Sequence, residues 1–423
     1  MRRVVWSAVG ALAVLVAACA GGDGGEVREV LVDYLDDEVA SSFIAYFPSE
    51  VTVRPGDTVR FKQEWTGEPH SVTMGTMVDE MMEVITPLME QYEDVPDEEV
   101  PPEAFEQFEA ATQALPPMMD HESDDFAIQQ NAAQPCFLDE GTPPEDPATP
   151  CGDEDQQQPA FNGRQSYYNS GYIHYEGPQG NEFVVPLADD IAPGVYSYYC
   201  NLHGPGQSGT ITVVEPDADI PSQADVARQA RAEIEEMAGP LRAAYADVVE
   251  AEGEVVVEGR AVPKPLAGYW DESFGHFGVN EFIPRRVEVD AGEAITWHFV
   301  GLHTVSFEVP EYFAQLTVGD DGTVTLSAEA IEPVNSPGAP EPPEPPEGEA
   351  PPEGEAPPEG EEPPEGEAPP EPVVVDAGEW DGSGFISSGV FFENAYRLTF
   401  TEPGTYPYAC LIHPQMVGEV VVR

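Results

Sequence analysis

The chain has 423 residues, enough for two or three domains of ordinary size, and its 80 acidic residues against 16 basic ones give a formal charge of −64. So negative a surface repels phosphate backbones and anionic lipid, which argues against nucleic-acid binding and polybasic membrane docking. Charge in that surplus suits a salty medium, where screening removes the self-repulsion that opposes compaction.

At the start of the chain, Arg2 and Arg3 precede an uncharged apolar run from Val4 to Val16. The run is shorter than the roughly 20 residues of a transmembrane helix and matches a signal-peptide core over residues 1–18. It ends Val16-Ala17-Ala18-Cys19, which resembles a bacterial lipobox. That resemblance implies cleavage before Cys19, lipid on its thiol and a flexible tether over 19–29. The alternative is an ordinary secretory signal with an incidental cysteine. Either way the expected location is extracytoplasmic, at the cell surface or the periplasmic face, where disulfides persist. Of the five cysteines, Cys136 and Cys151 flank a Pro-rich acidic loop and are the expected disulfide. Cys200 and Cys410 each stand three residues before a histidine and need a different explanation.

The mature chain then repeats itself. Phe47 to Phe61 alternates apolar and polar residues around Pro55-Gly56, a hairpin-like pair of half-buried strands, and Ile283 to Trp297 repeats the pattern around Ala291-Gly292. A histidine before a strand follows in each copy, His70-Ser71-Val72 and His303-Thr304-Val305. Ser170-Gly171-Tyr172 and Ser388-Gly389-Val390 come next, then Pro193-Gly194-Val195-Tyr196 leading to Cys200 and Pro403-Gly404-Thr405-Tyr406 leading to Cys410. A last alternating strand closes both, Gly209 to Val214 and Gly418 to Val422. Two all-β domains of one kind are the economical reading.

Between histidine and cysteine the copies carry unlike insertions. In the first, about 74–160 is acidic and partly helical, with Met74, Met77, Met81, Ile85 and Leu88 at helical spacing. In the second, Pro337 to Pro372 repeats Pro-Pro-Glu-Gly-Glu without Lys or Arg and cannot bury a core, so it is expected to be disordered. Between the copies, Ser222-Gln223-Ala224-Asp225 reads as a capping box opening a helix to about Met237. Gly239-Pro240 is expected to interrupt it before a second helical stretch to about Ala251, a segment that could hold the two halves apart.

The second copy presents His303, then Cys410-x2-His413-x2-Met416, then Gly418. One thiolate, two imidazoles and a weak thioether favour copper in an electron-transfer site. Here the sequence resembles the cupredoxin family of blue-copper proteins, and the short loop is similar to that of its amicyanin-type members. The resemblance implies two cupredoxin-type Greek-key β-sandwiches, over 30–217 and 266–423, with a helical segment at 218–265 between them and the disordered insertion at about 333–373. It also implies copper, two per chain, and redox protein partners. In the first copy His70, Cys200 and His203 match, but Gly204-Pro205-Gly206-Gln207-Ser208-Gly209 holds no methionine. Gln207 stands two residues before Gly209 as Met416 stands two before Gly418, and stellacyanin-type members use an axial glutamine carbonyl. The alternatives there are a three-coordinate copper or an empty domain. A harder oxygen donor favours Cu(II), so the first site is expected to have the lower potential.

Two such domains also occur in copper nitrite reductases and two-domain laccases, which wire the blue site to a catalytic copper through a histidine beside the cysteine. Here the neighbours are Tyr199 and Asn201, then Ala409 and Leu411, so no catalytic residue is expected and the chain reads as an electron carrier. The other readings are a copper-buffering lipoprotein and an acidic surface interaction module. His174, His276 and His298 have no ligand partners in sequence and read as structural. Seven of the ten methionines lie between Met74 and Met119, with His121 close behind; they read either as a Cu(I)-binding cluster or as the apolar face of a helix.

Overall fold

A computed structural model describes residues 25–36, 41–63, 70–92, 95, 100–113, 115, 158–173, 181–257, 260–270, 278–309, 316–318, 324–326, 332–335, 373–392, 394–413 and 415–423. The signal segment, Cys19, Cys136, Cys151, Met118, Met119, His121, His174, His276 and the Pro/Glu tract lie outside these residues.

In the first half the strands are β1 (Val27–Leu31), β2 (Tyr34–Asp36), β3 (Ser41–Phe43), β4 (Glu50–Val53), β5 (Thr58–Lys62) and β6 (Thr73–Met74). Helices α1 (Thr76–Tyr92) and α2 (Pro102–Thr112) follow, then β7 (Tyr168–Asn169), β8 (Glu182–Pro186), β9 (Gly194–Cys200) and β10 (Gly204–Val213). They form one sheet in the order β1-β5-β8 and another in the order β4-β10-β9-β6-β7, while β2 and β3 pair with each other. Helix α3 (Gln223–Glu250) leads to β11 (Glu254–Val257) and β12 (Arg260–Pro263), a two-stranded ribbon. The second half contains β13 (Leu266–Tyr269), β14 (Val279–Ile283), β15 (Arg286–Val289), β16 (Ala294–Phe299) and β17 (Ser306–Phe307). A small pair, β18 (Leu316–Val318) and β19 (Val324–Leu326), precedes β20 (Val374–Trp380), β21 (Ile386–Ser387), β22 (Ala395–Phe400), β23 (Gly404–Ala409) and β24 (Val417–Val422). Its sheets run β14-β13-β16-β22-β20 and β15-β24-β23-β17-β21. The second order matches β4-β10-β9-β6-β7 strand for strand.

The repeated alternating segments are therefore not hairpins. β4 pairs with β10 and β5 with β1 and β8, so the Pro55-Gly56 turn carries the chain from one sheet to the other; β15 and β16 do the same. Alternation reports which face of a strand is buried and says nothing about its partner. Gly56 at φ +81° and Gly292 at φ +90° supply the left-handed backbone of these arches. The inward faces meet between the sheets. Tyr46, Phe61 and Tyr198 pack edge-on in the first half. Trp297, Phe307, Phe400 and Tyr408 do so in the second, where the indole N–H donates to the Tyr408 hydroxyl at 3.2 Å.

Met74 is on β6, fully buried in the first core; of the other residues the spacing suggested, α1 buries Met81 and Ile85, together with Val78 and Met82. Met81 and Met82 pack with Tyr167 and Tyr199, so the apolar-face reading describes these side chains. Helix α3 differs more. Its capping box forms, with Asp225 N–H donating to Ser222 Oγ and Ser222 N–H to Asp225 Oδ2, yet the helix runs unbroken through Pro240. A helix-interior proline costs about 3 kcal/mol. Burial of Ile234, Leu241 and Val248 offsets it, at about 1.5–3 kcal/mol for each large aliphatic side chain. Those residues belong to a shared core with Phe43 and Phe47 of the first half and Leu266, Tyr269, Ile283 and Val300 of the second. The helix joins the halves instead of spacing them.

Candidate metal centres

Each half brings one cysteine and two histidines together, with their ligand atoms all within 4.8 Å: His70, Cys200 and His203, and His303, Cys410 and His413. The backbone explains how. The first histidine of each set sits on an isolated bridge, His70 to Ile173 and His303 to Phe391, at the end of the small edge strands. The cysteine ends or follows a core strand, β9 or β23, and the second histidine lies in the turn just beyond. In the second half that turn is closed by Met416 N–H donating to His413 O and Cys410 N–H donating to Met416 O, both at 2.9 Å. In the first half β10 bulges between Gly204 and Ser208, which absorbs the extra residue of its loop and leaves Gln207 fully buried.

In the first centre, His70 Nδ1 and His203 Nδ1 are 3.2 Å apart, and Cys200 Sγ is 3.7 Å from His203 Nδ1. The corresponding distances in the second are 3.0 Å and 3.5 Å. A backbone N–H donates to each sulfur at 3.3 Å, from Ser71 and from Thr304. The hydroxyls of the same two residues accept at 2.8 Å from the N–H after each cysteine, at Asn201 and Leu411. The histidine and cysteine segments are thus tied together by the protein itself. Gln207 Nε2 donates to Val32 O at 2.6 Å, which turns its carbonyl oxygen inward, 2.9 Å from His203 Nδ1. Met416 is fully buried in the same core cluster as Cys410. Six of the eight residues expected as ligands thus form the two clusters, Gln207 touches the first, and Met416 is buried in the core that contains Cys410.

Burial alone would raise both thiol pKa values. The imidazoles beside them reverse this, so that Cys200 and Cys410 are both held well below the ordinary thiol range. A buried thiolate facing two ring nitrogens, with an amide oxygen or thioether beside it, suits a soft or borderline cation and fits copper.

The outer faces of the two first histidines differ, and no sequence motif marked that difference. His70 Nε2 lies 3.4 Å from Asp33 Oδ2, an electrostatic contact between two fully buried side chains. Burial lowers the pKa of His70, but the Asp33 and Cys200 groups overcome this and lift it to about 9. His303 instead faces the neutral backbone carbonyl of Val300, and burial pushes its pKa down. Counted along the paired strands from the glycine of each arch, Asp33 and Gly268 hold equivalent positions. A Cβ on Gly268 would lie 2.1 Å from His303 Nε2, and its φ is +82°. Gly268→Ala should therefore displace His303 and cost the second centre its metal while sparing the first, as metal counted per chain in the single variant will show.

His298, on β16, is half-buried and belongs to neither cluster. His203 is partly exposed, whereas His413 is 7% exposed.

No family model matches the chain. It is 64% identical to amicyanin of Paracoccus denitrificans over 31 residues, which are 7% of this chain and 24% of amicyanin. The chain therefore spans about a quarter of the length of that curated relative. Among solved structures, a reduced amicyanin variant aligns over 34% of this chain and 73% of its own at 19% identity and a TM-score of 0.16. Dithionite-reduced auracyanin from Roseiflexus castenholzii aligns over 45% and 98% at 18% identity and a TM-score of 0.20. The short amicyanin-like stretch and the two-sheet sandwich around each cysteine together describe a cupredoxin-like fold.

Proposed function

We propose that the chain is an extracytoplasmic lipoprotein with two cupredoxin domains, each holding one type 1 copper, and that it passes single electrons between redox protein partners. The observation that carries this reading is the repeated burial of a thiolate against two imidazole Nδ1 atoms inside a rigid sandwich. Copper bound there would supply a one-electron Cu(I)/Cu(II) couple. His70, Cys200 and His203 would hold it in the first domain, with the Gln207 carbonyl as a further oxygen donor; His303, Cys410 and His413 would hold it in the second, with the Met416 thioether as a further donor. The Ser71 and Thr304 N–H groups stabilise charge on each sulfur, and the hydroxyl ties keep the ligands fixed in both oxidation states. Neither cysteine has a histidine neighbour in sequence to lead electrons to a catalytic copper, so the protein is a carrier and not an oxidase or reductase.

An anaerobic redox titration of the copper-loaded chain tests this. Reversible bleaching in two one-electron steps, the first domain at the lower potential, is the expected result. Tight Cu(I) binding with no reversible couple would instead make the protein a copper buffer.

A further inference from the structure

The two clusters are joined by one segment of the first half. At its near end, Val32 O accepts from Gln207 Nε2 and Asp33 stands behind His70. The segment then folds into the β2–β3 ribbon, in which Tyr34 pairs with Phe43, Leu35 with Ser42 and Asp36 with Ser41. Its far end lies on the second half. Ser41 Oγ donates to Gly278 O at 2.5 Å, and Ser42 Oγ accepts from Asn280 Nδ2 at 3.1 Å and Gln415 Nε2 at 3.4 Å. Gln415 is two residues past His413 in the ligand loop. Ser42, Ile44, His303 and His413 also line one cavity of about 400 Å³.

The ribbon is held in place. Phe43 is fully buried in the core shared by both halves, and Asp36 binds Arg242 of α3 at 2.7 Å. A path of covalent bonds, strand pairing and side-chain hydrogen bonds therefore runs from Asp33, in electrostatic contact with the back of the His70 imidazole, to the loop carrying His413.

Resting on the copper reading above, we infer that the two centres exchange electrons within a single chain, along the β2–β3 ribbon. The step moves one electron: the first centre is oxidised by one unit, the second is reduced by one, and no bond or proton changes place. Its direction follows from the surroundings. The Asp33 carboxylate and the Gln207 oxygen favour the higher metal charge in the first centre, whereas the second has a neutral carbonyl and a thioether. The partly exposed His203 also makes the first centre the more accessible one, while His413 is nearly covered.

Flash reduction of the full copper-loaded chain with less than one electron per molecule tests this, with Cys200→Ser and Cys410→Ser supplying the two reference spectra. The first centre should bleach and then recover as the second bleaches, with a rate that stays constant when protein concentration is raised. A rate proportional to concentration, or no redistribution, would overturn intrachain exchange while leaving the copper reading intact; absence of any blue copper would defeat that reading instead. Ser42→Ala combined with Gln415→Ala should slow the first-order phase at unchanged potentials. An unchanged rate in that variant would overturn the ribbon as the route.

Discussion

Changing Cys410 to serine should remove the intense visible absorption of the second centre and leave that of the first, and Cys200→Ser should do the converse. A serine hydroxyl does not ionise in this range, so the variant loses the charge that the paired imidazoles stabilise and the sulfur covalency that gives a blue site its colour. Space is not at issue, because both cysteines are buried and serine is smaller. The loss should also appear as stability. A metal that binds only the folded state stabilises it by about 4 kcal/mol when free metal is a thousand times its dissociation constant. Thermal unfolding with added copper should therefore show a shift for the wild-type chain that each single variant loses in part. Equal colour and equal copper stabilisation in Cys410→Ser would show that this sulfur is not a ligand.

The second large effect is expected from Asp33→Asn, which keeps the shape of the side chain and removes its charge. The carboxylate lies one imidazole ring from the first cluster. A unit charge about 6–7 Å away at an effective dielectric near 20 is worth about 2.5 kcal/mol. With about 59 mV for each tenfold change in a one-electron equilibrium, the first potential should rise by something on the order of 100 mV. The second should stay where it is, because His303 faces Val300 instead.

The same pair sets a pH dependence. In the copper-free chain His70 is raised from 6.5 to about 9, so the stabilisation it contributes is complete below pH 6.5 and is lost as pH rises through about 9. Copper must displace that proton. Affinity at the first centre, measured in Cys410→Ser, should thus strengthen with pH up to about 9. The second centre, with His303 lowered, should change less over neutral pH. An Asp33→Asn chain with an unmoved first potential and an unmoved pH profile would show that the carboxylate is only structural.

The two side-chain clusters were legible because soft-metal chemistry favours a few residue types at short spacings: Cys410, His413 and Met416 share one loop, and Cys200, His203 and Gln207 another. The partners of the strands were not. The segments around Pro55-Gly56 and Ala291-Gly292 show which side chains point inward, but joining facing sheets instead of neighbouring strands leaves no mark in their alternation. Helix α3 was cut too early at Gly239-Pro240 because the penalty of proline is local, whereas the burial that offsets it comes from residues of both halves. Asp33 and Gly268 were invisible for a similar reason. Each lies far in sequence from the histidine it stands behind, and neither carries a motif; Ser71 and Thr304, directly after their histidines, gave a recoverable signal as the hydroxyl shared by both copies.

The central claim is that each cysteine, with its two histidines, holds one copper. Copper counted per chain in the purified full-length protein, alongside its visible spectrum after oxidation, tests it most directly. Two coppers with intense absorption toward the red, falling to one in either cysteine variant, is the predicted result. A colourless protein after oxidation with added Cu(II), or copper uptake unaffected by loss of both cysteines, would contradict it.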